Sequence, residues 1–295
     1  MGALIMKQEH YTIGDFNRDF PNDDACLEWL KNNRWPDGIY CKKCQRITKH
    51  HKVNNRSAYA CDFCGSHVYP MAGTILEHSA TPLRLWFHAM FLMASTRCGI
   101  SAKQLQRELG VTYKTAWRMF TQIRSMLDED IMSLLQEVEV DETYIGGRKH
   151  GKRGRGAKGK TPVFGMAQRN GNVIAAIVPD VRAKTLVPIV KEKVLPSSIV
   201  YTDEFPSYNS LHRLGYKHKR VHHQSKVYVL GDAHTNTIEG FWSLVKRGID
   251  GVHHAVSAKY LQDYINSYSF RWNHRDDETP MFLQILSRLV PSLRA

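Results

Sequence analysis

The chain has 295 residues, 42% hydrophobic and 23% charged, which allows two or three domains with a sizeable core and excludes wholesale disorder. Lys and Arg number 41 against 28 Asp and Glu, a formal charge of +13, and that balance favours a polyanionic partner through long-range attraction and counterion release. The N-terminal MGALIMKQEHY lacks a signal-peptide core, the apolar run from Leu83 to Ala94 is broken by Arg84 and His88, and four of six cysteines fall in Cys-x-x-Cys pairs. These features argue against a membrane span and a disulfide framework, and the expected location is cytoplasmic.

Residues 1–36 read as a helical lead-in, with Cys26, Leu27, Trp29 and Leu30 on one face. Trp35-Pro36-Asp37-Gly38 reads as a turn. Residues 37–72 carry Cys41-x-x-Cys44 and Cys61-x-x-Cys64 and few aliphatic side chains, so this segment needs a staple rather than a core. Two such pairs, separated by residues 45–60, suit one tetrahedral zinc. Redox Cys-x-x-Cys motifs come singly, and four protein ligands leave no open position, so the expected ion is structural. A ribbon of this kind does not by itself imply contact with DNA. Cys26 and Cys98 lie on apolar faces and read as core.

Residues 80–130 are predicted helical. Thr81-Pro82 reads as a start signal, Thr as N-cap and Pro at the first helical position, followed by Leu83, Trp86, Phe87, Met90 and Phe91 at helical spacing. Ser101–Leu109 and Thr112 to about Met126 then form a helix-turn-helix pattern around Gly110, with Leu105, Leu109, Val111, Ala116 and Trp117 facing inward. Thr112, Tyr113, Lys114, Thr115 and Arg118 fall at the exposed start of the second helix, where DNA contacts are made in such motifs. An ordinary helical hairpin is the alternative.

From residue 135 to about 290 the pattern turns to strands: Val138–Ile145, Pro162–Ala167, Asn172–Val178 and Ser198–Thr202, with a helix over Ala183–Val194 and later helices over Thr237–Arg247 and Ser257–Asn273. This fits an α/β sheet domain. Between the first two strands Arg148, Lys149, Lys152, Arg153, Arg155, Lys158 and Lys160 interleave with glycines, as a DNA-facing loop or a solvated linker would. Asp141 stands inside the first strand and Asp203 ends the fourth. An acid in an apolar strand is costly unless it binds a cation, and two on neighbouring strands suit Mg²⁺. Glu139 shares the strand face of Asp141, whereas Glu142 points the other way; both read as solvated or ion-paired acids, with support of the metal ligands as the alternative. Glu239 and Lys246 lie two helical turns apart on one face. Asn236-x-x-Glu239 also fits a capping box, with Asn236 as N-cap. The pairs His222-His223 and His253-His254 diverge and do not suit a shared metal.

Three blocks, Asp141-Glu-Thr-Tyr-Ile-Gly-Gly147, Thr202-Asp-Glu-Phe-Pro-Ser-Tyr208 and His234-Thr-Asn-Thr-Ile-Glu-Gly-Phe-Trp-Ser-Leu-Val-Lys-Arg-Gly248, resemble the catalytic blocks of bacterial insertion-sequence DDE transposases. The group resembled has a zinc ribbon, a helix-turn-helix and a ribonuclease H-like catalytic domain, and the resemblance runs in order over nearly the whole chain. It implies a multidomain α+β protein in which Asp141 and Asp203 bind two Mg²⁺ or Mn²⁺ ions. Glu239 or Asn236 completes the site, Glu239 favoured, and Lys246, beside Arg247, contacts DNA. The activity implied is cleavage and strand transfer by two-metal phosphoryl transfer, on double-stranded element ends and target DNA, by a dimer or larger assembly near the nucleoid. The alternatives are a DNA-binding regulator with an inactive sheet domain, and a ribonuclease H-like nuclease without strand transfer.

Overall fold

The structure, a computed structural model, describes residues 11–146, 159–203, 205–221 and 234–290. The chain divides into two compact units, residues 1–126 with 277–295, and residues 127–276.

The first unit begins with α1 (Ile13–Asp19), closed by a Thr12/Asp15 capping box, and α2 (Asp23–Arg34), capped by Asn22. Five short strands follow: β1 (Ile39–Cys41), β2 (Arg46–Thr48), β3 (His50–Lys52), β4 (Tyr59–Cys61) and β5 (His67–Val68). β1 and β2 form a hairpin, and β3, β4 and β5 an antiparallel sheet. The ribbon is tied to α2 by Tyr59 Oη donating to Glu28 at 2.6 Å and by an ion pair between Lys52 and Asp24. Three helices complete this stretch: α3 (Leu83–Ser95), α4 (Ala102–Leu109) and α5 (Tyr113–Ser125).

The start signal at Thr81-Pro82 falls one residue off. Pro82 takes the N-cap position and α3 opens at Leu83 without a side-chain cap of its own. Instead Asp23 accepts from the Arg84 amide at 2.7 Å, so α2 supplies what the local sequence does not. The hydroxyl of Thr81 is used elsewhere, accepting from the Arg118 guanidinium at 2.9 Å.

The second unit is built on a five-stranded sheet. Its strands are β6 (Glu137–Ile145), β7 (Thr161–Gln168), β8 (Val173–Ile177), β9 (Ile199–Thr202) and β10 (Lys217–Arg220), in spatial order β10-β9-β6-β7-β8. β6, β7 and β8 form an antiparallel meander, and β9 returns parallel to β6 after helix α6 (Ala183–Lys193), with β10 parallel beyond it. This strand order and these directions are those of the ribonuclease H-like fold. Four of its strands are legible in Val, Ile and Tyr content; β10, Lys-His-Lys-Arg, is not, because pairing with β9 rather than composition makes it a strand.

Alternation on β6 sends Val138 and Val140 to one face, where they pack with Phe164, Met166, Val200, Leu186 and Val190. The other face is covered by α7 (Asn236–Gly248) and α8 (Ala258–Asn273), through Ile238, Phe241, Trp242, Val245, Leu261 and Ile265 against Ile145, Val163, Ala167 and Val173. The outer edge of β8 is met by two amides of α8. Asn273 accepts from the Val173 amide at 2.7 Å and donates to its carbonyl at 3.2 Å. Gln262 accepts from the Ile177 amide at 2.8 Å and donates to the Ala175 carbonyl at 3.1 Å.

The expected catalytic segment ran to residue 290, but the last helix, α9 (Met281–Ser287), belongs to the first unit. There Phe282 joins Phe16, Phe20 and Phe91 in a cluster with ring centroids 5.7–5.9 Å apart. Among the described residues no helix is long and apolar enough to cross a membrane.

Candidate active site

The parallel pairing of β6 with β9 sets Glu139 beside Tyr201 and Val140 beside Thr202. One residue beyond the last pair of this register, Asp141 follows Val140 and Asp203 follows Thr202 at the same end of the two strands. Asp203 follows the last residue of β9, and its carboxylate accepts from the Phe205 amide at 2.9 Å, an Asx-type turn that fixes the side chain. Burial, the adjacent Glu142 and the charges of Asp203 and Glu239 push the Asp141 carboxyl up from 3.8 to about 7. Asp203 and Glu239 thus lie near enough to Asp141 for their charges to act on it.

Glu239 is placed by α7. The helix opens at Asn236 with Thr235 in the N-cap position, so the expected capping box with Asn236 as cap does not form. Thr235 Oγ1 donates to Glu239 at 2.8 Å, and the buried Glu139 takes over the capping role from β6, accepting from the amides of Thr237 at 2.7 Å and Ile238 at 3.0 Å. The reason is steric placement: α7 begins directly above Glu139, which reaches the open amides from outside the helix. Asn236, Glu239 and Lys246 all lie on the exposed side of α7, as does Arg247. The inward side carries Trp242, which crosses Gly165, the residue paired with Asp141 on β7. A Cβ at Gly165 would overlap the indole ring, so the glycine sets how closely α7 approaches the sheet at Asp141.

Two further groups frame the site. Arg169 Nε donates to Glu139 at 2.8 Å, while its other nitrogens reach Glu137 at 3.3 Å and the His234 carbonyl at 2.9 Å. Its guanidinium lies 3.9 Å from the Tyr201 ring centroid. Glu139 is thus ion-paired and buried, one of the two readings its sequence position allowed. On the opposite face of β6, the buried Glu142 accepts from Tyr208 Oη at 2.6 Å, tying the turn after Asp203 to the strand of Asp141. Arg169, Tyr208 and Gly165 were not singled out from the sequence. A glycine inside a strand was the one local signal available, for Gly165.

The four ribbon cysteines converge, all sulfurs within 4.8 Å of one another, with Cys41 and Cys64 at 3.5 Å and Cys44 and Cys61 at 3.9 Å. Tetrahedral zinc with bonds of about 2.3 Å requires sulfurs about 3.8 Å apart, so the set fits that ion. Each knuckle closes on a left-handed residue one place after its second cysteine. Gln45 has φ 54° and its amide reaches the Cys41 carbonyl at 2.8 Å; Gly65 has φ 71° and reaches Cys61 at 2.9 Å. Cys26 is fully buried, as expected, whereas Cys98 is partly exposed.

α4 and α5 meet at Gly110, which caps α4 in the left-handed conformation at φ 64°. Ser101 and Thr112 cap the two helices, accepting from Gln104 and Thr115 amides. Thr112, Tyr113, Lys114 and Arg118 are exposed and Thr115 partly so. Trp117 is half-buried rather than inward-facing, stacking on Tyr113. Arg118 is not presented freely: besides Thr81 it approaches Ser79 at 3.3 Å and the Trp86 ring at 5.6 Å. Arg148, Lys149, Arg153 and Arg155, with His222 and His223, lie outside the described residues.

Residues 133–273 match the model of the ISXO2-like transposase domain, and residues 21–67 that of a transposase zinc-ribbon domain. A protein of transposable element ISH50 from Halobacterium salinarum is 29% identical over 273 residues, 86% of this chain and 92% of the relative. A transposase-like protein of Haemophilus influenzae is 32% identical over 118 residues, 40% of this chain and 93% of the relative. Solved structures superpose loosely. The HTLV-2 integrase catalytic core gives a TM-score of 0.28 at 12% identity, covering 48% of this chain and 88% of that one. The Mos1 strand transfer complex gives 0.30 at 13% identity, covering 68% and 74%. With a zinc-ribbon model and a transposase-domain model matched in order, and a transposase-like relative 32% identical over 93% of its length, the chain belongs to the transposase family with an ISXO2-like transposase domain behind a transposase zinc ribbon.

Proposed function

We propose that the protein is a DNA transposase that binds the ends of an insertion sequence, cleaves the DNA there and joins the freed ends to target DNA. The observation that carries this reading is the nearness of three acids: Asp141 and Asp203 at the same end of the paired strands β6 and β9, and Glu239 on α7, whose charges act on Asp141. The clustered carboxylates repel one another, and the cation that relieves such repulsion is a hard divalent ion, Mg²⁺ or Mn²⁺, held by Asp141, Asp203 and Glu239, two ions per site. When bound, such ions stabilise charge on the attacking and leaving oxygens of an in-line phosphoryl displacement.

The chain's own residues do the rest. Asp203, fixed by the Phe205 amide, keeps its carboxylate aimed along the strand end, and Glu239, held by Thr235, closes the third side. Asn236 lies one turn before Glu239 on the same exposed stripe and is the alternative third ligand. Lys246, two turns beyond Glu239, is placed to hold a phosphate of the DNA beside the cleavage point, with Arg247 next to it. The exposed start of α5, at Thr112, Tyr113, Lys114 and Thr115, is the proposed reader of the element end, and Arg118 braces it. Zinc at the four cysteines holds the ribbon folded. The proposed domains are a lead-in to residue 36, a ribbon over 37–72, a helix-turn-helix over 80–130 and a catalytic domain from 135. Two ends joined in one reaction require at least a dimer on DNA, in the cytoplasm beside the nucleoid.

The test is an assay with labelled element-end DNA, Mg²⁺ and a target plasmid. Cleavage and joined product are expected from the parent, and neither from Asp141→Asn or Asp203→Asn, which remove charge at constant size. Cleavage without joining leaves a nuclease; end binding with no cleavage under any metal leaves a regulator.

A further inference from the structure

Glu139 is engaged on both of its carboxylate oxygens. It is buried, two residues before Asp141 on the same strand face, and receives hydrogen bonds from four directions. Thr237 donates its amide at 2.7 Å and its hydroxyl at 3.1 Å, Ile238 its amide at 3.0 Å, and Arg169 its Nε at 2.8 Å. His234 Nδ1 lies 3.2 Å away. A buried carboxylate without such partners is costly, and here each oxygen is met by donors and the charge by a guanidinium. The donors are not scattered: both amides belong to the first turn of α7, whose N-cap position lacks a side-chain cap of its own. The carboxylate therefore does two things at once. It satisfies open amides of α7, and it fastens the start of that helix to the strand carrying Asp141.

We infer that Glu139 is a positioning residue, a remote helix cap that sets where Glu239 and Lys246 stand relative to Asp141 and Asp203. The inference rests on the proposed metal site and assigns a role to a residue that does not itself hold the ion. Glu239 lies within one helical turn of the capped amides, so a shift of the first turn moves its carboxylate directly. Lys246 follows because it is on the same rigid helix. Gly165 and Trp242 fix how closely α7 approaches the sheet, and Glu139 fixes where along β6 the helix begins. Arg169 orients the carboxylate through its Nε and is itself held by Glu137 and the Tyr201 ring.

The test uses the full chain without DNA and reads Mn²⁺ affinity by calorimetry or electron paramagnetic resonance, alongside melting temperature. Glu139→Gln places an amide NH₂ where one oxygen now accepts, so the side chain can meet either the Thr237 and Ile238 amides, which share Oε2, or Arg169 Nε and the Thr237 hydroxyl, which share Oε1, but not both pairs. The expected result is a folded protein with Mn²⁺ affinity weakened about 10- to 100-fold, as for residues that orient metal ligands. Thr237→Val removes only the hydroxyl bond, and a smaller loss of about threefold is expected; it is read alone if Glu139→Gln does not fold. A lowered melting temperature with Mn²⁺ affinity equal to the parent's in these variants would make Glu139 a structural cap only and overturn the inference. Asp141→Asn separates the two levels. If it too binds Mn²⁺ as the parent does, the metal-site reading fails, and the positioning role with it.

Discussion

Gly165 faces Asp141 across the β6–β7 pair, and the Trp242 ring fills the space that a side chain at Gly165 would need. The indole rests on backbone, and Glu239 lies one turn earlier on α7. Gly165→Ala should cost about 1–3 kcal/mol by overpacking and lift α7 from the sheet. Thermal denaturation should show the lower melting temperature. Cleavage should remain impaired at temperatures where the variant is fully folded; normal turnover there would mean that α7 tolerates the lift.

The acidic cluster makes a signed prediction about pH. The carboxyl of Asp141 is raised from 3.8 to about 7, so between those values the folded protein binds a proton that the unfolded chain has released. Metal-free stability should therefore fall as pH rises from about 4 to about 7 and stay low above it. Asp141→Asn removes that loss and should melt higher than the parent at pH 8 without metal. Added Mg²⁺ should raise the parent's melting temperature at pH 8 and leave that of Asp141→Asn nearly unmoved. A metal-free parent that melts above Asp141→Asn at pH 8 would contradict the raised value.

The ribbon is tested separately. Purified protein should carry one zinc, lost in Cys61→Ser, and a strong chelator should unfold the ribbon. Gln45 occupies the left-handed conformation that Gly65 occupies in the other knuckle. Gln45→Gly should stabilise the folded ribbon by up to about 1 kcal/mol, relieving the Cβ clash at some cost in chain entropy. Destabilisation would show that the Gln45 side chain holds something more valuable than its backbone strain.

Lys114 and Arg118 separate reading from bracing. Lys114→Ala should weaken binding to end DNA without changing stability and should flatten the salt dependence by about one phosphate contact. Arg118→Ala loses bonds to Thr81 and Ser79 and its place near Trp86, so a drop in melting temperature should accompany its loss of binding. Equal stability in the two variants would free Arg118 for direct contact.

What the sequence revealed follows from how local each signal is. The cysteine knuckles, the Ser101 and Thr112 caps and the strand of Asp141 each lie within a few residues and were legible. The missed features are long-range. Asp23 caps α3 from 61 residues away, and Glu139 meets Ile238 from 99. β10 is a strand only because β9 pairs with it, and Gly165 matters because of a tryptophan on another element. Asn236 and Glu239 had the spacing of a capping box, but spacing does not reveal that a better acceptor arrives from the sheet.

The amides of Gln262 and Asn273 along β8 bear on how copies of this chain can gather. An open sheet edge is a template on which another molecule's strand can add. Here the outward backbone groups of Val173, the Ala175 carbonyl and the Ile177 amide are already taken by side chains shaped like peptide groups. The edge is sealed by imitation, as though a further strand had been laid there. A continuous sheet cannot grow through β8, so another molecule that meets this edge meets the side chains of α8 rather than open backbone.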